Sequence, residues 1–111
     1  MGHFNLRVYG ILVNGEGKVL VSDEREYGAQ FTKFPGGGLE YGEGLKDGLI
    51  REFREECGTD IVVEQHIHTT DVFFKSAFNE SQIIGVYYLV RNLNQVIGRF
   101  SDKAFDFGFA E

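Results

Sequence analysis

The stretch that decides the fold runs from Phe34-Pro35-Gly36-Gly37-Gly38 to Arg51-Glu52-Phe53-Arg54-Glu55-Glu56-Cys57-Gly58-Thr59. Between the two ends, Glu43 follows Gly37 after five residues, and Arg51 follows Glu43 after seven. Leu45, Leu49, Ile50 and Phe53 recur at helical spacing, which predicts a helix from about Glu43 to Cys57. Gly58 ends it in the position where a left-handed residue is favoured. Gly44 and Gly48 inside this span cost roughly 1 kcal/mol each relative to alanine, which points to close packing. Glu52, Glu55 and Glu56 fall within an arc of about 100°, beside the sector of Leu49, Ile50 and Phe53. Three carboxylates on one patch repel unless something positive sits among them. Arg51 and Arg54 supply part of that charge, and a divalent cation would supply more. Carboxylate oxygens are hard ligands and no Cys/His set competes, so Mg²⁺ or Mn²⁺ suits the patch better than zinc. The triple glycine lets bare backbone approach a ligand, and the helix N-terminus after it favours anions. A metal and a phosphate group could therefore meet between turn and carboxylates.

Outward from this segment the periodicity is that of strands. Residues 4–13 are rich in branched and aromatic side chains and read as a strand. Asn14-Gly15-Glu16-Gly17 reads as a hairpin turn, with 19–21 returning as a second strand. Residues 23–30 are polar and read as a loop, and 31–34 as a short extended piece before Pro35. On the far side, 61–74 and 82–91 read as strands. The alternation Phe105-Asp106-Phe107-Gly108-Phe109 predicts one more short strand. Strands, one helix and strands again imply an α+β domain around a single sheet.

The whole chain has 111 residues, which allows one domain spanning 1–111. Its net charge of −6 gives no overall field to attract nucleic acid or an anionic membrane. A phosphate-bearing substrate therefore needs a local cation. No apolar run is long enough to span a bilayer, and the N-terminus lacks a signal-peptide pattern. The single cysteine, Cys57, forbids an intramolecular disulfide and fits a reducing, cytoplasmic setting.

The spacing from Gly37 to Thr59 resembles the signature of the Nudix (MutT-type) hydrolase family, G-x5-E-x7-R-E-U-x-E-E-x-G-U, where U is a bulky apolar residue. Every fixed position of the box is met over residues 37–59, with Phe53 at the first U and Thr59 departing mildly at the second. The resemblance implies an α/β/α sandwich with a mixed central sheet and one catalytic loop–helix–loop. The closing C-terminal helix usual in the family has no counterpart in the sequence. The implied activity is metal-dependent hydrolysis of the diphosphate bond in a nucleoside diphosphate linked to another moiety. Nucleoside triphosphates, nucleotide sugars, ADP-ribose and dinucleotides all qualify. By the same resemblance Glu52, Glu55, Glu56 and the Gly37 carbonyl would hold Mg²⁺ or Mn²⁺, with Glu52 or Glu56 activating water. Arg51 would orient a neighbouring glutamate by ion pairing. Glu43 would support the loop, unless it simply favours the helix N-terminus. Arg25, Lys33, Gly36 and Gly38 are candidates for substrate contact. A further catalytic glutamate beyond the box would be Glu80 or Glu111. A nucleotide-sensing module that keeps the fold without hydrolysis is the alternative.

The remaining residues carry plainer expectations. His66 and His68 alternate along a strand and are read as solvent-facing. Cys57 is read as a packed thiol rather than a nucleophile. Phe73, Phe74, Tyr87 and Tyr88 are read as core or sheet surface that could include a base-stacking residue. With one clear helix for two sheet faces, and with Phe100, Phe105, Phe107 and Phe109 adding apolar surface, a homodimer through 4–13 or the tail is expected.

Overall fold

The computed structural model describes residues 2–26 and 29–94. The strand expected at 105–109, the aromatic tail residues Phe100, Phe105, Phe107 and Phe109, and Glu111 lie outside them.

The central sheet has four strands in the order β4-β1-β6-β5, with β1 Phe4–Leu12, β4 Gly36–Gly38, β5 Ile61–Thr69 and β6 Gln82–Asn92. β1 runs parallel to β6 and antiparallel to β4, while β5 is antiparallel to β6, so the sheet is mixed as expected. The β1–β6 register is continuous from Phe4↔Gln82 to Leu12↔Val90. One helix, α1 Leu45–Cys57, packs on β1, β4 and β5. It starts two residues later than its periodicity suggests. Gly44 is its N-cap, without a side-chain cap, and Gly58 closes it at φ 60°.

Period-two alternation sorts the strand residues between the two faces. Val8 and Leu12 of β1, Val86, Tyr88 and Val90 of β6, and Ile61 of β5 pack against Leu49, Phe53 and Cys57 of α1. Phe53 and Leu49 are fully buried. Gly10 lies directly beneath Phe53: a Cβ built there would come 2.4 Å from the ring. The helix thus lies closer to the sheet than any side chain at position 10 would allow. Gly48 is similarly crowded by Leu39 and Glu43, in keeping with the close packing its sequence position suggests.

The structure corrects the sequence reading in three places. Residues 23–26 and 29–30 are not loop but belong to a separate two-stranded sheet, β2 Ser22–Glu26 and β3 Ala29–Lys33, which makes two sheets rather than one among the described residues. Polar composition hid the ribbon, because Ser22–Glu26 presents no apolar alternation. Residues 19–21 form no full strand. Val19 makes one bridge to Val13, and the Leu20 N–H donates to the Leu12 carbonyl. The β1 edge from Arg7 to Gly10 is already taken by β4 and the Pro35 carbonyl. The Asn14 turn does form, with the Asn14 side chain accepting from the Glu16 and Lys18 N–H groups. The strand expected to reach residue 74 ends at Thr69, and 70–81 is irregular apart from a Lys75↔Gln82 bridge. Among the described residues α1 is the only helix, as the sequence predicts, and it covers one face of the sheet. No described helix is long and apolar enough to cross a membrane.

Candidate active site

β4 is an edge strand only three residues long and carries no side chains. Its pairing decides where its polar groups point. Gly10 N–H donates to the Pro35 carbonyl and Leu39 N–H to the Leu6 carbonyl. By the alternation of an antiparallel ladder, the Val8–Gly37 pair between them is also hydrogen-bonded. The Gly37 carbonyl therefore belongs to the ladder, and the carbonyls of Gly36 and Gly38 point outward from the sheet edge. Each meets a cation: Lys33 Nζ donates to Gly36 O at 2.8 Å and Arg51 Nη2 to Gly38 O at 3.1 Å. Gly36 adopts φ 146°, and a Cβ there would lie 2.0 Å from the Val8 carbonyl oxygen, so the lead-in to the edge strand requires glycine.

The helix meets β4 through Glu52. A Cβ on Gly37 would lie 2.6 Å from Glu52 Oε2, so the carboxylate rests on bare backbone. Arg51 gathers the other acidic groups. It binds Glu43 at 2.7 Å, Glu52 and Glu55 at 3.0 Å each, and Glu40 at 3.5 Å. The Glu43 carboxylate also accepts the Glu40 N–H at 2.9 Å. Arg51 and this backbone donor hold the Glu43 carboxyl down to about 2, and the same contact raises Arg51 further above its ordinary value. Glu43 therefore locks the guanidinium that ties loop to helix. Glu56 faces the other cation, with its Oε1 3.2 Å from Lys33 Nζ.

Five carboxylates, Glu40, Glu43, Glu52, Glu55 and Glu56, thus share the cations Arg51 and Lys33, and the patch stays net negative. Among the described residues no three His, Cys, Asp or Glu side chains converge on one metal-holding point. The physical reason is visible in the contacts: Arg51 draws Glu52 and Glu55, and Lys33 draws Glu56. The donor set nevertheless suits a hard divalent cation. It combines carboxylate and carbonyl oxygens with a loop so thin that Glu52 touches backbone, and an ammonium already bridges Gly36 O and Glu56.

Several predicted residues lie elsewhere. Glu80 pairs with Lys75 at 3.3 Å, just before β6 begins opposite Phe4. The site faces Tyr9, five register positions further along. Arg25 lies on β2 opposite Gln30, in the two-stranded sheet. Arg54 pairs with Asp60 at 2.6 Å, away from the carboxylate patch. His66 and His68 are exposed but do not alternate. A bulge between them sets His66 opposite Tyr88 and His68 opposite Tyr87, on different faces. Cys57 is buried, and burial together with the negative Glu56 pushes its thiol up to about 11, which suits packing and not nucleophilic attack.

On the face opposite α1, Tyr87, a candidate for base stacking, is joined by Tyr9 and Phe34, which sequence reasoning passed over. Tyr9 and Tyr87 stack with centroids 5.1 Å apart, and Phe34 meets Tyr87 edge-on at 6.2 Å. Arg7 donates to the Tyr9 hydroxyl at 2.5 Å, and Lys33 Nζ lies 5.8 Å from the Tyr9 ring centroid. Alternation along β1 could have found Tyr9, because Arg7 and Tyr9 must face away from the buried Val8.

A mixed sheet whose glycine edge meets a glutamate-rich helix defines a loop–helix–loop domain of the Nudix type. A sequence model of the NUDIX domain matches residues 3–107, and the chain belongs to that family. Among solved structures it is similar to a MutT protein from Methanosarcina mazei Go1, at 24% identity and TM-score 0.74, over 94% of this chain and 74% of that one. It is similar to MutT from Aliivibrio salmonicida and Vibrio cholerae, at 26% identity and TM-score 0.68, over 89% and 73%. An ADP-ribose pyrophosphatase from Streptococcus suis 89-1591 shares the fold at 23% identity and TM-score 0.67, over 87% and 66%. No match was found among curated protein sequences.

Proposed function

We propose that the protein is a metal-dependent hydrolase of a nucleoside diphosphate linked to another moiety. Membership of the NUDIX domain family supports this reading. The observation that carries it to particular residues is the junction at the sheet edge, where Glu52 rests on Gly37 and an ammonium bridges Gly36 O and Glu56. Glu52, Glu55 and Glu56 would hold Mg²⁺ or Mn²⁺. The outward Gly36 carbonyl is better placed than the Gly37 carbonyl to join them. Bound there, the cation would neutralise the diphosphate and make water more acidic. Glu52 or Glu56 takes the proton from the attacking water as its oxygen bonds to phosphorus. The bridging P–O bond breaks, and its electrons leave with the second phosphorylated product. Arg51, locked by Glu43, holds Glu52 and Glu55 against the loop. Lys33 is the candidate phosphate contact, and Tyr87 with Tyr9 and Phe34 offers an aromatic surface beside it for a base.

The test is a panel of nucleoside triphosphates, nucleotide sugars, ADP-ribose and dinucleotides, assayed for phosphorylated products with Mg²⁺, Mn²⁺ or chelator. Turnover that depends on metal and falls by about 10²-fold or more in Glu56→Gln supports the reading. A folded protein that turns over no member of the panel refutes the hydrolase reading, and unchanged kcat in Glu56→Gln removes Glu56 from the chemistry. The homodimer expected from the sequence is retained as a proposal. Phe4 and Leu6, exposed on β1, support it, and light scattering tests it.

A further inference from the structure

We propose that Lys33 is the resident counter-ion of the acidic site, giving up its oxygens to the incoming divalent cation and then turning to the substrate's phosphates. The inference rests on the hydrolase reading and adds a positioning residue to it. Lys33 Nζ touches Gly36 O at 2.8 Å and Glu56 Oε1 at 3.2 Å. These are one loop oxygen and one helix oxygen of the donor set, on the two sides of the gap between β4 and α1. An ammonium and a divalent cation cannot share oxygens about 3 Å away without strong mutual repulsion. One of them must leave.

Of the two cations in the patch, Lys33 is the one built to move. Arg51 is pinned by Gly38 O and four carboxylates in a planar fork. Lysine is a compact point charge on a flexible stem, with no planar fork that fixes the direction of its partners. From that same position Lys33 Nζ lies 5.8 Å from the Tyr9 ring centroid, so an aromatic face that attracts a cation already borders it. Once it gives up Gly36 O and Glu56, the ammonium keeps this aromatic border beside the site and can meet a diphosphate lying along β4. The same lysine thus quiets an excess of negative charge before the cation arrives and supplies positive charge to the polyanion afterwards.

The experiment measures Mn²⁺ binding without substrate, from the free-Mn²⁺ signal in electron paramagnetic resonance, for wild type, Lys33→Met and Lys33→Arg. With the competing charge removed, Lys33→Met should bind Mn²⁺ about tenfold more tightly, while Lys33→Arg stays near wild type. For whichever diphosphate the wild type hydrolyses, Lys33→Met should raise KM about tenfold and change kcat less. Unchanged or weaker Mn²⁺ binding in Lys33→Met overturns the proposal. So does a Lys33→Arg variant that binds as tightly as Lys33→Met. If circular dichroism shows Lys33→Met unfolded, Lys33→Gln is read by the same criteria. Absence of turnover in the wild type would sink the hydrolase reading while the Mn²⁺ measurement still judges the exchange. Wild-type turnover with a flat Mn²⁺ response would sink the exchange alone.

Discussion

Replacing Gly37 with alanine should remove activity while sparing the fold. The new methyl group would stand 2.6 Å from Glu52 Oε2, 2.8 Å from its Cδ and 2.9 Å from Oε1. Gly37 is not in the left-handed region, so alanine meets no backbone penalty there. What it strikes is the end of a flexible side chain. Relief to ordinary contact near 3.4 Å requires the carboxylate to withdraw by about 0.8 Å. Misplacing a reacting group by about 1 Å can cost roughly 10²-fold in rate, equivalent to about 2.7 kcal/mol of barrier. Folding stability should change by less than about 1 kcal/mol, because nothing buried is lost. The neighbouring Gly36→Ala is the control with the opposite pattern. Its methyl would meet the Val8 carbonyl at 2.0 Å, with φ at 146°, so backbone has to move and the melting temperature should fall. Both variants are assayed for kcat on the substrate the panel identifies and for thermal unfolding by circular dichroism. A Gly37→Ala protein with wild-type kcat would refute the assignment of Glu52 to the chemistry. Equal loss of stability in both variants would refute the distinction between a side-chain and a backbone collision.

Two further outcomes are expected. Glu43 is held down to about 2 from an ordinary 4.5, so its contribution to stability is complete above pH 4.5 and is lost as pH falls through about 2. Wild type should therefore lose stability more steeply than Glu43→Gln across that window in acid-unfolding curves, and equal slopes would count against the Arg51 lock. Phe53→Ala should destabilise the fold by about 3–5 kcal/mol in urea unfolding, since the fully buried ring fills the gap over Gly10. A loss below about 1 kcal/mol would show that the helix collapses onto the sheet without it.

The helix was legible because its signals agree. Leu45, Leu49, Ile50 and Phe53 keep helical spacing, Gly58 closes the C-terminus, and all four apolar side chains turn out buried or packed on the core. The carboxylate arc was legible for the same reason, since a known helix fixes the angles between its side chains. The β2–β3 ribbon was not, because Ser22–Glu26 carries no apolar alternation and its pairing depends on a partner strand, not on local pattern. Nor could the spacing say which glycine carbonyls point out of the ladder. That depends on register, and register is settled by Gly10 and Leu6 of β1, far away in sequence. The aromatic pair escaped notice because Tyr9 and Tyr87 lie far apart along the chain and meet only through the parallel pairing of β1 with β6.

The three glycines make sense once β4 is seen as an edge between two faces. On one face the strand bears the Glu52 carboxylate, and on the other lie Arg7 and Tyr9, whose register partners are Gly38 and Gly36. Any side chain on the edge would thicken the wall between them. With none, Lys33 reaches a loop carbonyl, a helix carboxylate and an aromatic ring from one position, so charge on one face can be balanced from the other. A diphosphate laid along such an edge could contact acidic oxygens through a cation on one side while its base reaches Tyr87 on the other. Under the proposed hydrolase reading, this arrangement is what would let a chain of net charge −6 accept a polyanion: the repelling field would be compensated locally, at the narrowest part of the sheet.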